Sequence, residues 1–234
     1  MLDQIQELMD GIRQVSDNIA HDLKTPLFRL RQKLEALNVE AESSAGHAQA
    51  LQGALAEADR LLNLFNALLR IARLETESRK TAMTMLSLSE LAGDVAELYE
   101  PLAEGKRQSL SVETPQSISL FADRDMLFQA LANLLDNAVK YTPKGGNIRL
   151  SLSAQEYSVS IRVCDSGPGV APDQREKVFH RFYRTDTSRS TPGNGLGLSL
   201  VKAVVHLHDG RVSLQDNHPG LCVELSLPRR SPEH

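Results

Sequence analysis

Apolar side chains over about the first 75 residues recur at alternating steps of three and four positions, which is the pattern of a coiled-coil or helical-bundle seam. The first run contains Leu2, Ile5, Met9, Ile12, Ile19, Leu23 and Leu30, and the second contains Leu51, Leu55, Ala58, Leu62, Phe65, Leu69 and Ala72. The polar stretch NVEAESSAGHA separates the two runs and is typical of a loop. The pattern therefore predicts a coiled-coil segment over residues 1–15 and a helical hairpin over 16–78.

Additional apolar positions lie beside the seam of the second run. Leu61, Leu64 and Leu68 would remain exposed to water in an isolated hairpin. Burial of that surface favours dimerisation into a four-helix bundle. A monomeric hairpin packed against the rest of the chain is the alternative that the pattern leaves open.

From Met85 onward the period changes, and short alternating runs are separated by helical stretches. The expected strands are QSLSVE, SISLFA, NIRLSLS, SVSIRVCD, RVSLQD and LCVELSLP, and the expected helices are SLSELAGDVAELYEPLAEG, DRDMLFQALANLLDNAVKY and GLGLSLVKAVVHLHD. Turns such as TPKGGN, interpreted as hairpin turns, favour a mixed, mostly antiparallel sheet with helices on one face. The predicted fold class is α+β, in which a linker over 79–84 joins the hairpin to an α/β sandwich over 85–230, followed by a tail over 231–234.

Composition narrows the range of partners. The 234 residues carry a net charge of −4, so no basic face is expected to hold nucleic acid or acidic lipid. Cys164 and Cys222 lie in alternating apolar segments without CxxC spacing, which predicts neither a metal site nor a disulfide and suits a reducing compartment. No run approaches the roughly 18 apolar residues of a membrane span, and the N-terminus lacks the layout of a signal peptide. We expect a soluble chain whose partners are small molecules and proteins.

Three polar motifs follow one another in the second half of the chain. In ANLLDNAVKYTP, Asn133 and Asn137 are four residues apart and share one helix face. The strand ending VCDSGPGV places Asp165 before a D-x-G-x-G turn, whose glycines allow the backbone to approach a ligand closely. In GNGLGLSLV, glycines run into a helix whose N-terminus can bind phosphate. Each motif alone is weak evidence, because capping asparagines and glycine turns are common, but their order within about 65 residues is specific.

Together the motifs closely resemble the ATP-binding domain of the GHKL superfamily, which contains gyrase, Hsp90, MutL and the histidine kinases, over roughly 85–228. The resemblance implies that ATP and Mg²⁺ bind here, with Mg²⁺ held by Asn137 and the γ-phosphate near Asn133. Lys140 would face phosphate, Tyr141 would line the adenine side, and Asp165 would accept a hydrogen bond from the adenine amino group. The other implied cofactor-binding residues are Gly167, Gly169, Gly193, Gly195, Leu196 and Gly197.

The segment VAPDQREKVFHRFYRTDTSRSTPGN resembles the ATP lid of histidine kinases, over about 170–194, and VFHRFYR matches their F box. Arg184 would lie nearest the γ-phosphate, where an always charged guanidinium stabilises the charge on a transferring phosphoryl group. A surface loop with a small aromatic anchor is the simpler interpretation and is compatible with this one. Two positions depart from the pattern: Asn194 stands where relatives often carry Thr or Ser, and HDG at residues 208–210 stands where His-Gly-Gly is common.

The stretch SDNIAHDLKTPLFRL places His21 between two seam positions, so that its side chain is expected to face outward. HDLKTP resembles the H box of dimeric histidine kinases, which implies that His21 is the phosphorylated residue. A neutral imidazole can attack the γ-phosphoryl group if Asp22 accepts its other ring proton. Thr25 lies one helical turn further along the same face, where its hydroxyl could orient water for hydrolysis of the phosphohistidine.

These resemblances imply the catalytic part of a homodimeric sensor histidine kinase. It would phosphorylate itself on His21, pass the phosphoryl group to a response-regulator aspartate, and act as a phosphatase towards that regulator. The regulator would dock on the bundle around Leu27, Phe28 and Arg31. Residues 1–15 would end a signalling helix, so this fragment would be cytoplasmic and its parent anchored in the bacterial inner membrane through a missing upstream sensor. A GHKL-type ATPase that drives conformational change and a non-catalytic dimeric scaffold are the alternatives.

Overall fold

The computed structural model describes residues 83–114, 117–185 and 195–229, together with Leu51, Gly53 and Ala58. The chain divides into two compact units, Met1–Glu77 and Ser78–His234. The three described residues of the first unit are helical. Apart from Leu51 and Ala58, the predicted seam lies outside the described residues, as do Leu61, Leu64 and Leu68 of the predicted dimer surface and His21, so the bundle and its boundaries stay predictions.

The second unit contains three helices and seven strands in its described part. The helices are α1 (Leu88–Gly105), α2 (Arg124–Tyr141) and α3 (Gly197–Leu207). The strands are β1 (Thr84–Ser87), β2 (Ser109–Glu113), β3 (Ser119–Ala122), β4 (Asn147–Ala154), β5 (Ser158–Asp165), β6 (Arg211–Asp216) and β7 (Leu221–Pro228). Two short 3₁₀ turns, Pro172–Gln174 and Lys177–Phe179, lie between β5 and α3. Every strand and helix predicted after residue 85 is therefore present, and β1 is an addition.

Five strands form one sheet in the order β2-β4-β5-β7-β6, and β1 pairs with β3 in a separate antiparallel ribbon. Only the β2 and β4 pair of the five-stranded sheet is parallel. The prediction of a mixed, mostly antiparallel sheet is confirmed. The interpretation of TPKGGN as a hairpin turn was wrong, because this segment joins α2 to β4, and β4 pairs with the earlier strand β2 through a helical crossover.

The core lies between this sheet and the three helices. Alternate residues of the central strands are buried, namely Ile148, Leu150, Leu152, Val159, Ile161, Val163, Leu225 and Leu227. Their neighbours in sequence, such as Arg149 and Arg162, are exposed on the opposite face. Each fully buried aliphatic side chain contributes roughly 1.5 to 3 kcal/mol relative to its exposed state. The predicted arrangement, with helices on one face of the sheet, is confirmed.

The two ends of the sheet differ. At one end, β5 finishes at Asp165, and the turn from Asp216 to Leu221 between β6 and β7 lies beside it, since Cys164 pairs with Cys222. At the other end, β4 and β5 are joined through Gln155, whose N–H donates to the Ser158 carbonyl oxygen over 2.7 Å. The D-x-G-x-G turn, which is the motif that follows a strand, therefore lies at the first end.

The cysteine prediction was wrong. Cys164 and Cys222 are joined by a disulfide in the structure. They face each other directly across the antiparallel pair of β5 and β7. Their separation of 58 residues gives no hint of this pairing, because the register between the two strands is set by the fold rather than by local sequence.

His208 links the C-terminal end of α3 to the N-terminal end of α2. Its Nε2 accepts from the backbone N–H of Asp123 over 3.0 Å, so its proton lies on Nδ1, which donates to the Val204 carbonyl oxygen over 2.8 Å. Asp123 itself caps α2 by accepting from the N–H of Met126 over 3.1 Å. Burial lowers the pKa of His208, while the Val204 carbonyl and the charges of Asp123 and Asp209 oppose that shift. The neutral imidazole is thus the form that the fold prefers.

This link predicts a specific dependence of stability on pH. Because folding lowers the pKa of His208, its contribution is fully present above the unfolded value of about 6.5 and is lost as the pH falls below it. We expect His208→Gln to reduce the free energy of unfolding by about 1 to 2 kcal/mol at neutral pH and to flatten the pH dependence below neutrality. Denaturant titrations at several pH values measure both effects. His206→Gln, at an exposed position of the same helix, should change neither.

Candidate functional site

One group of predicted residues lies where α2 faces the start of α3. Asn133 donates from Nδ2 to the Gln129 carbonyl oxygen over 2.9 Å, which leaves its Oδ1 to accept or to ligate. A Cβ placed on Gly197 would lie 3.4 Å from Oδ1 of Asn133 and 3.5 Å from Nδ2 of Asn137. The spacing of four residues on α2 therefore places both amides beside the first turn of α3.

The first turn of α3 has no side-chain cap from the described part of the chain. Leu196 precedes the helix, and none of the described side chains bonds to its N-terminal N–H groups. A helix start without a side-chain cap leaves N–H groups available to an anion and adds the positive end of the helix dipole. Leu196 itself is 6% exposed, which fixes the backbone that leads into the helix. The arrangement suits a phosphate group between α3 and the two asparagines.

Position 195 requires glycine because of its backbone conformation and because neighbouring residues approach it closely. Its φ is +68°, and a Cβ would lie 2.8 Å from the carbonyl carbon of Phe182. The carbonyl oxygen of Gly195 accepts from the N–H of Phe182 over 2.9 Å. Phe182 also has a positive φ, of 62°, which is rare for a bulky residue and costs free energy that the surrounding contacts must offset. The first part of the predicted lid is thus joined to the glycine loop.

An aromatic side chain of the predicted lid packs against α3. The Phe179 ring lies 5.9 Å from Nζ of Lys202, within the range of a cation–π contact. Arg184 follows Phe182 by two residues, in the last described part of this segment. Gly193 lies outside the described residues, as do His21, Asp22 and Thr25 of the first unit. Their predicted roles stay predictions.

A second group of residues surrounds Asp165 at the end of β5. Its Oδ1 accepts from the N–H of Gly167 over 2.7 Å and from the N–H of Leu221 over 3.4 Å. Its side chain is nearly buried, with the residue 9% exposed. Burial raises the pKa of Asp165, and the two backbone hydrogen bonds partly lower it again. Within the described part of the chain Oδ2 has no hydrogen-bond partner, so a ligand donor can reach it.

Glycines around Asp165 allow the backbones to approach closely. A Cβ on Gly167 would lie 2.8 Å from Oδ1 of Asp165 and 3.0 Å from the carbonyl oxygen of Tyr141. Gly169 has a φ of +72°, and its Cβ would lie 2.9 Å from the carbonyl oxygen of Gly220. The predicted glycines are therefore needed for geometry, and they connect the Asp165 turn both to α2 and to the turn between β6 and β7.

The C-terminal end of α2 connects the two groups. Tyr141 is its last residue, and Nζ of Lys140 lies 5.7 Å from the Tyr141 ring centroid. Gln108 supports this end, since its Nε2 donates to the carbonyl oxygens of Val139, over 3.0 Å, and Thr142, over 2.6 Å. The asparagines, Lys140 and Tyr141 therefore lie along one helix that runs from the α3 loop to the Asp165 turn.

The donor set fits a hard cation that also binds phosphate. No group of three or more His, Cys, Asp or Glu side chains that could hold a metal lies within the described ranges. Mg²⁺ prefers oxygen ligands and retains several waters, so one asparagine oxygen together with phosphate oxygens suffices. Asn133 and Asn137, both beside the start of α3, are the described asparagines of this group that could supply such an oxygen.

No helix in the described residues has the length and apolar character needed to cross a bilayer.

Sequence reasoning missed the turn between β6 and β7. Nδ2 of Asn217 donates to the carbonyl oxygen of Asp165 over 2.7 Å, and the N–H of Leu221 contacts the carboxylate. Gly220, with a φ of +120°, packs its backbone against Asp165. The run NHPG did carry a turn signal, but nothing in it indicated which residues the turn would contact.

Two family models match the chain. One is described as "Histidine kinase-, DNA gyrase B-, and HSP90-like ATPase" and covers residues 122–231, which include both groups of site residues. The other is described as "His Kinase A (phospho-acceptor) domain" and covers residues 12–77, which include His21.

Curated relatives match over most of the chain. The sensor-like histidine kinase SenX3 of Mycobacterium tuberculosis is 33% identical over 214 residues, covering 90% of this chain and 52% of SenX3. The signal transduction histidine-protein kinase BaeS of Escherichia coli is 32% identical over 220 residues, covering 92% of this chain and 46% of BaeS. The chain thus spans about half the length of the curated relatives that it matches.

Two solved structures are similar to this chain. Full-length ShkA in complex with AMPPNP is 28% identical with a TM-score of 0.71, covering 94% of this chain and 46% of that chain. The mycobacterial sensor histidine kinase MprB is 30% identical with a TM-score of 0.57, covering 63% of this chain and 99% of that chain. With the phosphoacceptor match, the ATPase match and the two site clusters in one polypeptide, the chain belongs to the sensor histidine kinases.

Proposed function

We propose that the chain binds ATP with Mg²⁺, phosphorylates His21, and passes the phosphoryl group to an aspartate of a response regulator. The observation that carries this proposal is that Asn133 and Asn137 lie beside the start of α3, which no described side chain caps. In the same chain, the match to the phosphoacceptor family model contains His21. ShkA, which is similar to this chain in structure, was solved in complex with AMPPNP, an analogue of ATP, and this supports the choice of nucleotide.

The phosphate end of the site combines neutral donors with positive charge. Asn137 would hold Mg²⁺ through its amide oxygen, and the ion would supply positive charge that neutralises the triphosphate. The backbone N–H groups at the start of α3 bind phosphate oxygens, and Lys140 faces them from α2. Asn133 lies beside the γ-phosphate, and the Arg184 guanidinium stabilises the charge on the group in transfer.

The base end of the site recognises adenine through Asp165. Oδ1 of Asp165 is held by the N–H groups of Gly167 and Leu221, so Oδ2 is directed to the ligand and accepts from the 6-amino group. Tyr141 lines the same side from the end of α2. Gly167 and Gly169 keep the turn close enough to the base for this contact.

Phosphoryl transfer needs a neutral histidine. One ring nitrogen of His21 attacks the γ-phosphorus in line, Asp22 takes the proton from the other ring nitrogen, and the bond to ADP breaks. Phospho-His21 then donates its phosphoryl group to the regulator aspartate. Thr25 orients water when the chain acts as a phosphatase towards that regulator.

The architecture around this chemistry is part of the same proposal. Two copies of the hairpin over 16–78 form a four-helix bundle, and the regulator docks near Leu27, Phe28 and Arg31. Since the curated relatives are about twice as long as this chain, we infer that the parent protein continues upstream into a membrane-anchored sensor and that this part is cytoplasmic. An upstream coding sequence without hydrophobic spans would contradict that inference.

Incubation of the full chain with γ-labelled ATP and Mg²⁺ tests the central proposal. A histidine kinase acquires label that acid removes, because phosphohistidine is acid-labile. Steady phosphate release without labelled protein would instead identify an ATPase that drives conformational change. Absence of nucleotide binding would identify a non-catalytic scaffold.

The role of Asp165 makes a separate prediction. In Asp165→Asn, the amide oxygen can keep the Gly167 and Leu221 N–H groups, so the amide NH₂ would face the adenine 6-amino group, donor against donor. We expect the ATP dissociation constant to rise about 10- to 100-fold. Stability should not fall, because the raised pKa of Asp165 means that its buried charge disfavours folding at neutral pH. ATP titration and thermal unfolding of the same samples check both; a large loss of stability would contradict the assignment.

A further inference from the structure

Asp165 is held from two directions. Its own turn supplies the N–H of Gly167, two residues ahead. The turn between β6 and β7, more than 50 residues later, supplies Asn217 and Leu221. The side chain that selects the base in the proposed site is therefore positioned partly by a segment that follows α3.

Asn217 contacts the backbone rather than the carboxylate. Its Nδ2 donates to the carbonyl oxygen of Asp165 over 2.7 Å. That oxygen belongs to the peptide unit between Asp165 and Ser166, immediately before the Gly167 N–H that holds Oδ1. Rotation of this peptide would move the Gly167 N–H away from the carboxylate. The Asn217 contact therefore fixes the Asp165 peptide and, with it, the Gly167 N–H that holds Oδ1.

The turn that carries Asn217 is itself well ordered by local contacts. The N–H of Asn217 donates to the Gly220 carbonyl oxygen over 3.2 Å, and the N–H of His218 donates to Oδ1 of Asp216 over 3.2 Å. Asp216 also pairs with Arg175 over 3.4 Å. These contacts hold the turn without the Asn217 side chain, whose amide is thus available for Asp165.

We propose that Asn217 is a positioning residue for base selection: by holding the Asp165 peptide it keeps Oδ2 aimed at a purine 6-amino group. The inference rests on the proposed function, since it assumes that Asp165 reads the base. It concerns the choice between nucleotides with and without that amino group, rather than binding of the triphosphate.

The experiment compares two ligands on four forms of the full chain. Dissociation constants are measured for MgATP and for the Mg²⁺ complex of purine riboside triphosphate, which lacks only the 6-amino group. The forms are the wild type, Asn217→Ala, Asn217→Asp and the control His218→Asn. His218 lies in the same turn with its side chain 86% exposed, and asparagine tolerates its φ of 41°.

We expect the wild type to prefer MgATP and Asn217→Ala to weaken MgATP binding about fivefold, the usual effect of one hydrogen bond. Binding of purine riboside triphosphate should change less than about twofold, so the preference itself falls. Asn217→Asp suits the same turn, but its carboxylate cannot donate a hydrogen bond, so it should lower the preference for MgATP in the same way. If Asn217→Ala does not fold, the result for Asn217→Asp tests the proposal. His218→Asn should keep the wild-type preference.

Three results would overturn the inference. If both ligands weaken equally in the Asn217 variants, the side chain only supports the hairpin. If neither weakens, the contact has no role in binding. If the wild type binds both ligands equally, Asp165 does not read the amino group. A wild type that binds neither ligand is a different result, because it contradicts the proposed function itself.

Discussion

His21→Gln is expected to reduce labelling of the chain by γ-labelled ATP to background. Glutamine has a similar size and polarity, but its amide nitrogen is not nucleophilic, so the phosphoryl group has no acceptor. ATP binding should be unchanged, because Asn137, Asp165 and the α3 loop lie in the second compact unit, Ser78–His234. Labelling followed by acid treatment, with a parallel ATP titration, measures the two properties separately.

His47→Gln is the matched control. His47 lies in the polar stretch between the two apolar runs of the hairpin and has no aspartate beside it. We expect it to label as the wild type does. Label that persists on His21→Gln would rule out His21 as the acceptor, and loss of ATP binding in that variant would mean that the two units are not independent.

Gly220→Ala is expected to destabilise the second unit by about 3 kcal/mol and to weaken ATP binding strongly. Two effects add. A Cβ at this position overlaps the carbonyl oxygen of Asp165, and the φ of +120° is one that alanine avoids. Relief of the overlap requires the Asp165 turn to move, which displaces the carboxylate from the base. Urea unfolding and ATP titration measure the two consequences.

Replacement of glycine by alanine at position 93 should change the free energy of unfolding in the opposite direction. Gly93 lies on the exposed side of α1, and a Cβ there would meet nothing within 4 Å. Alanine is the better helix former, so Gly93→Ala should raise the free energy of unfolding by about 0.5 to 1 kcal/mol without affecting ATP binding. A Gly220→Ala variant as stable as Gly93→Ala would show that the β6 and β7 turn is free to move away from Asp165.

The site residues that the sequence predicted are those whose chemistry is local. Asn133 and Asn137 share a face because the helix repeats every 3.6 residues, and Asp165 stands at the end of a clearly alternating strand. Gly195 and Gly197 precede a helix that the apolar pattern already indicated. Spacing alone was enough to place each of these on its element, and the α2 and α3 contact then followed from the fold.

The contacts that the sequence did not predict join distant segments. Asn217 reaches Asp165 across 52 residues, and Cys164 reaches Cys222 across 58, both through the register of β5 with β7. Register depends on which strands become neighbours, which one sequence does not reveal. Asp209 has a φ of 53°, a left-handed conformation that glycine adopts without strain, and it stands where the sequence departs from the His-Gly-Gly pattern of the resembling family.

The two ends of the sheet should also differ in how they accept changes of chain length. An insertion between Asp216 and Leu221 would pull on Asp165 and, through Arg175, on the start of the lid segment. The turn around Tyr157, which is 77% exposed at the opposite end, makes no contact with the site in the described residues. It is therefore the natural attachment point for a fluorophore or an affinity tag that reports on nucleotide binding without perturbing it.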